Sequence, residues 1–258
     1  MLIKKNKIKY GLKIWSSNKD LFKLSAELFR VGKIDFIELY IIPDSLPDTS
    51  ILKDFKKIPT AIHATHMEHG FDVFLLDDKK IEFFKNQIIK TADFLDSKFI
   101  ITHADVGNSN EDFKKNIEKI SDSRMLIENL PKVNLEGKTC YASTYEQLKF
   151  IKDCGFKFCF DFSHAIKSAI SQKINYKEFV EKLIKELNPN YFHICNGKLD
   201  NDRDEHRDLF DGDFDIKWMK NTLLKLAEKK DVYLVFETPK GKNGLENDIK
   251  NINYFNSL

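Results

Sequence analysis

The chain has no C-x-x-C pair, no glycine-rich phosphate loop and no apolar run long enough to span a bilayer. Each absence removes a class of protein. The four cysteines, Cys140, Cys154, Cys159 and Cys195, form neither a zinc-ribbon spacing nor a dense disulfide framework, so reduced thiols in a cytoplasmic protein are expected. The basic start, MLIKKNKIKYGLKIW, is not followed by a continuous apolar stretch, which points to a soluble chain with no membrane partner. Arginine is scarce, with only Arg30, Arg124, Arg203 and Arg207 present, and bidentate readout of phosphates over a wide surface is not expected. With 42 basic against 40 acidic residues the formal net charge is +2, so no global field marks a polyanion binder. No Gly/Ser linker or low-complexity segment divides the 258 residues, and a single domain over 1–258 is expected.

What the chain does have is alternation. Short runs rich in β-branched and aromatic residues are predicted as strands at 9–15, 35–42, 60–65, 98–104, 124–130, 157–163, 191–196 and 232–238. Helical patterns lie between them, such as 18–31, opened by an Asn18 cap, and 173–187, closed by Asn188-Pro189. Eight strands, each followed by a helix, in about 250 residues is the arithmetic of a (β/α)8 TIM barrel. An open doubly wound sheet is the alternative, because closure of the sheet is not visible in spacing alone.

The histidines fall in a pattern. His63 and His103 end the third and fourth predicted strands, His164 follows the sixth, His193 lies in the seventh, and His206 sits in the next loop beside Asp204. Glu128, Asp161 and Glu237 occupy the ends of the fifth, sixth and eighth. All are at the carboxyl ends of strands or in the loops that follow, the face where barrels keep their active sites. So many uncompensated polar groups at one rim would be costly without cations. A nitrogen and oxygen donor set suits zinc, with manganese or iron as substitutes.

His66 and His69 continue from His63 as H-x-x-H-x-x-H; a loop and helix start explains them better than a second small metal site, with His66 a possible substrate contact. Cys159 and Cys195 are expected to point away from the ligand candidates into packing. Ser163 lies between Asp161 and His164 without a G-x-S-x-G elbow around it, which disfavours a serine nucleophile.

In strand order, FIELY, IHATH, ITHADVG, IENLP, FDFSHA, HICN, DEHRDLFDGDFD and FETP together resemble the endonuclease IV family of apurinic/apyrimidinic endonucleases, within the xylose isomerase-like TIM-barrel superfamily. The resemblance implies a trinuclear zinc site. His63, His103 and a bridging Glu128 would hold one ion; Glu128, Asp161, His193 and Glu237 a second; His164, Asp204 and His206 a third. It also implies metal-assisted phosphoester hydrolysis, with Glu128 bridging and Glu237 accepting a proton from the attacking water. Arg203 and Arg207 flank the Asp204/His206 pair and are candidates to neutralise a substrate phosphate, ion pairs with Asp202 and Asp208 being the alternative.

The loops after the first two strands, SSNKD and PDSLPDTS, carry neither the arginine nor the inserted aromatic with which that family probes a duplex. The substrate is accordingly expected to be abasic DNA or a smaller phosphoester. A sugar or sugar-phosphate isomerase or epimerase using a one-metal subset near Glu128, Asp161, His193 and Glu237 is the alternative, and a non-catalytic metal- and ligand-binding barrel is a third. No protein partner is implied.

Overall fold

The computed structural model describes residues 7–46, 49–241 and 244–258. Eight parallel strands close into a barrel in sequence order: β1 (Ile8–Trp15), β2 (Phe36–Tyr40), β3 (Thr60–His63), β4 (Phe99–His103), β5 (Met125–Glu128), β6 (Lys157–Asp161), β7 (Tyr191–Ile194) and β8 (Val232–Phe236). Pairing of β1 with β8, from Ile8 opposite Val232 to Gly11 opposite Val235, closes the ring and removes the open-sheet alternative.

The outer layer holds α1 (Phe22–Arg30), α2 (Asp78–Phe83) running through a π-helical turn at Phe84–Ile89 into α3 (Lys90–Phe94), α4 (Asn110–Ile117), α5 (Tyr145–Asp153), α6 (Phe162–Gln172), α7 (Tyr176–Leu187), α8 (Ile216–Ala227) and α9 (Glu246–Ser257). The second unit departs from the predicted pattern, since a 3-10 segment, Thr49–Lys57, stands where an α-helix was expected. The loop preceding it, PDSLPDTS, lies partly outside the described residues, at 47 and 48.

Several predicted ends move for local reasons. Asn18 does not cap its helix; its Oδ1 accepts from the Trp15 N–H at 3.2 Å. The segment predicted at 173–187 begins only at Tyr176, because Lys173 is the left-handed terminus of α6 and Asn175 caps α7. β5 stops at Glu128, and two residues later the Leu130 N–H has turned to the Ala142 carbonyl, 3.0 Å away. β6 stops at Asp161 because the same residue caps α6: its Oδ1 accepts the His164 N–H at 2.7 Å.

Two apolar layers hold the barrel. A large one lies between strands and helices, and a smaller one fills the barrel interior with Phe36, Ala61, Ile101, Leu126, Cys159, Tyr191 and Val235, one residue from each of β2 to β8. β1 contributes Gly11, where a Cβ would meet Phe36 Cζ at 2.3 Å and Val235 Cγ2 at 2.8 Å, so only glycine fits. This plug fixes which face of every strand looks inward.

Candidate metal centre

Side chains alternate along a strand with period two, so the position two residues beyond each plug residue also faces inward, one step nearer the carboxyl end. Those positions are Lys13, Glu38, His63, His103, Glu128, Asp161, His193 and Glu237, a polar residue from every strand. All eight are buried or nearly so. Glu237 lies one residue past β8, its N–H held by the Ile194 carbonyl at 3.0 Å.

Three of the imidazoles have their tautomer set by a neighbour. His63 Nδ1 is 2.9 Å from the Ala64 carbonyl, so it carries the proton and leaves Nε2 bare, 3.2 Å from Glu128 Oε2. His164 Nδ1 donates to the Asn129 carbonyl at 2.9 Å, leaving Nε2 3.2 Å from Asp204 Oδ2. His193 Nε2 donates to Glu38 Oε2 at 2.8 Å, leaving Nδ1 2.8 Å from Glu237 Oε1 and 3.2 Å from Glu128 Oε1. In each case the inner nitrogen faces a carboxylate oxygen, a contact that holds only with a proton or a metal cation between the two. One ring nitrogen pinned while the other points into the site is the usual state of a metal-ligating histidine.

Glu128 is the hub. Its Oε2 lies 3.2 Å from His63 Nε2 and 3.1 Å from His103 Nε2, while Oε1 lies 3.2 Å from His193 Nδ1 and 3.4 Å from His164 Nδ1. Asp161 is anchored through its backbone, whose N–H and carbonyl both bond the Asn129 side chain at 2.9 Å. That leaves its Oδ2 buried without a hydrogen-bond partner.

The remaining donors, His164, Asp204 and His206, form a separate group on the helix after β6 and the loop after β7. Asp204 Oδ2 touches both imidazoles, and Ser163 donates to Asp204 Oδ1 at 2.9 Å, which makes Ser163 a support rather than a nucleophile. The loop folds back because Asn196 and Arg207 exchange backbone hydrogen bonds at 3.0 and 2.9 Å, holding His206 at φ 47° over the barrel mouth.

A buried ammonium on α6 ties this loop down. Lys167 Nζ reaches the Lys198 carbonyl at 2.7 Å, the Asn201 carbonyl at 3.1 Å and Glu205 Oε2 at 3.0 Å. Lys167→Met would take this donor from the two carbonyls and from Glu205, which the Lys198 N–H and Arg207 still hold; the expected loss is about 2 kcal/mol, the scale for leaving buried acceptors unsatisfied. Denaturant unfolding measures it.

Charge follows from this packing. Glu38, Asp105, Glu128, Asp161, Asp204 and Glu237 crowd one end of the barrel, and Lys13 is the inward-facing ammonium that meets them, bonded to Glu237 Oε1 and 3.5 Å from Glu38 Oε1. Burial works against every charge here. It pushes Asp161 up to about 6 despite His164, whereas His193 and Lys13 overcome burial and hold Glu38 down at about 2. His206 is raised to about 9 against burial by Asp204, and Asp161 and Asp204 likewise raise His164 well above the ordinary range. His103 is pushed down to about 4, mainly by burial, which favours its neutral form. The orphaned Asp161 Oδ2, the inward-pointing imidazole nitrogens and the excess acid together fit a site for divalent cations.

Of the residues proposed for substrate, His66 lines the cavity above these groups and stacks on His103, with centroids 4.6 Å apart. Arg203 and Arg207 are not among its walls. Arg207 bonds Glu205 and Asp211, at 3.1 and 3.2 Å, rather than Asp208, which accepts from Asn247 and Asn251 instead. His69 is fixed by the Tyr40 hydroxyl at 2.9 Å, at the end of a 3-10 turn, Met67–His69.

Cys159 corrects the strand argument: it shares the face of Asp161, two residues on, and sits under Glu128 and His193. Burial pushes both the Cys159 and Cys195 thiols well up, so neither is a poised nucleophile. Lys13 and Glu38, which the strand-end pattern of histidines and carboxylates does not reach, face inward by the same period-two rule that places His63 and His103 there.

The cavity over the group encloses about 720 Å³ and is open to solvent through the loops after the strands. Among the described residues, no helix is long and apolar enough to cross a membrane.

Neither a family model nor a curated protein matches the chain by sequence. Solved structures do. Endonuclease IV from Thermus thermophilus is 17% identical with a TM-score of 0.73, the match covering 96% of this chain and 98% of that one. The 3-keto-D-glucoside 4-epimerase of E. coli is 13% identical, TM-score 0.62, over 98% and 100% of the two chains. A xylose isomerase domain containing protein from Salmonella typhimurium is 12% identical, TM-score 0.63, over 100% and 98%. At these identities the likeness carries the fold alone, the closed TIM barrel that this chain shares with those structures.

Proposed function

We propose that the protein is a phosphoester hydrolase using zinc-class ions at the barrel mouth. The observation that carries this reading is the second donor group, His164, Asp204 and His206, set beside the Glu128 cluster with its own pinned imidazole. A single-ion isomerisation would need no such group, whereas hydrolysis of a phosphoester gains from several cations around one phosphoryl group.

His63, His103 and Glu128 would hold one ion, Glu128, Asp161, His193 and Glu237 another, and His164, Asp204 and His206 a third. Ions held there supply Lewis acidity to the phosphoryl group and offset the charge of its oxygens. The chain's own residues do the rest. Lys13 and His193 engage Glu237 Oε1, which leaves Oε2, 3.7 Å from His206 Nδ1, to take a proton from the attacking water. Asn129 and Ser163 fix Asp161 and Asp204, so little reorganisation is needed when the substrate enters.

A second reading, a sugar or sugar-phosphate isomerase or epimerase, is favoured by Lys13. Its ammonium orients Glu237, and both Glu237 and Glu128 contact His193 Nδ1, an arrangement that suits two carboxylates passing a proton across one carbon.

One assay separates the two. Zinc-reloaded protein is expected to hydrolyse small aryl phosphodiesters and to lose that activity on chelation, without exchanging carbon-bound hydrogen of ketoses for solvent deuterium. Deuterium incorporation without hydrolysis would select the isomerase. Incision of an abasic-site duplex, run alongside, decides whether DNA is a substrate. The chemistry is compatible with a cytoplasmic setting, as the free cysteines suggest.

A further inference from the structure

The strand period that builds the polar ring also builds the layer above it. Trp15 stands two residues beyond Lys13 on β1, and Tyr40 two beyond Glu38 on β2, with Trp15 registered opposite Tyr40. Tyr40 is 2% exposed, its hydroxyl is held by His69, and its ring backs the indole with centroids 6.4 Å apart and planes tilted by 56°. Trp15 is nonetheless 50% exposed, and it lines the cavity. An inward-facing tryptophan that is braced from behind and open in front is shaped to receive another ring. Leu135, 62% exposed, and Met67 add apolar wall to the same cavity.

Charge limits what that ring can be attached to. The lysines along the cavity wall are Lys13, committed to Glu237 and Glu38, and Lys240, paired with Asp248. Glu68, Glu136 and Glu205 line the wall as well. A polynucleotide needs cations for the phosphates on either side of the reacting one, and no uncommitted Lys or Arg side chain lines this cavity among the described residues. The candidate ions would serve one phosphoryl group and no more.

We propose that Trp15 and Tyr40 form a stacking subsite for an aryl or heteroaryl group joined to a single phosphoryl group, so that the substrate is a small aromatic phosphoester rather than a nucleic acid strand. The inference rests on the hydrolase reading for the phosphoryl group and on Trp15 for the ring.

Trp218, on α8, packs against Tyr176 and Phe162 in the outer layer, so Trp218→Phe leaves Trp15 as the reporting indole. Zinc-loaded Trp218→Phe protein is titrated with phenylphosphonate and methylphosphonate, neither of which can be hydrolysed. Quenching of Trp15 emission and at least tenfold tighter binding of the phenyl compound are expected. In Trp15→Ala, followed by calorimetry with metal content checked, the two should bind alike. Equal affinities in the Trp15-containing protein would overturn the subsite, as would a phenyl preference that survives Trp15→Ala. A phenyl preference that depends on Trp15, in a protein that hydrolyses no aryl phosphoester, would support the subsite and remove the hydrolase reading instead.

Discussion

Glu128→Gln is expected to lower metal-dependent turnover by about a thousandfold, or ~4 kcal/mol of transition-state stabilisation. Both oxygens of this carboxylate face bare or ligating imidazole nitrogens, those of His63 and His103 on one side and His193 on the other. Glutamine keeps the shape but halves the acceptors, removes the negative charge and turns an N–H₂ toward one of these groups. The buried imidazoles would then lose the charge that lets cations bind between them. Steady-state kinetics with saturating zinc tests the prediction, and a variant retaining more than about a tenth of wild-type turnover would mean that Glu128 bridges nothing.

Glu38→Gln should have the next largest effect, a loss of about 10- to 100-fold in metal affinity, the usual range for removing a partner behind a ligating histidine. Glu38 Oε2 accepts from His193 Nε2 at 2.8 Å and from the Tyr191 hydroxyl at 2.6 Å, fully buried beneath the site. Its charge both fixes the ring and makes Nδ1 a better donor. Glutamine can still accept a hydrogen bond there, so folding should largely survive while the affinity falls. Competition with a chromophoric chelator reads that affinity directly. Unchanged affinity would show that His193 does not ligate or that its orientation is set elsewhere.

Much of this could be read from the sequence because strands announce themselves twice, by composition and by period. Every predicted strand core lies in the barrel, and the predicted ends that ran long did so where backbone pairing hands over to a cap or a loop, as at Asp161 and Leu130. The helix after β2 was not legible, since a short amphipathic stretch has the same pattern whether it winds as α or 3-10.

At the site, histidines and carboxylates at strand ends stood out against apolar neighbours. Lys13 and Glu38 did not, because a lysine in a basic leader and a glutamate in FIELY look like ordinary surface residues until the barrel closes and shows which face is inside. That Cys159 packs on the same face as Asp161 rather than away from it needs that same reference. The roles of Arg203 and Arg207 could not be read either: both sit in a charged loop, and only the three-dimensional path shows Arg207 committed to Glu205 and Asp211 and neither guanidinium on the cavity wall.

Whether the barrel mouth holds more than one cation is decided by metal content. Protein reloaded with zinc and dialysed against metal-free buffer should carry about two to three ions per chain, and the His164→Ala/His206→Ala variant should carry about one fewer with its remaining complement intact. A single ion per chain, unchanged in that variant, would leave a one-metal barrel and remove the multinuclear site.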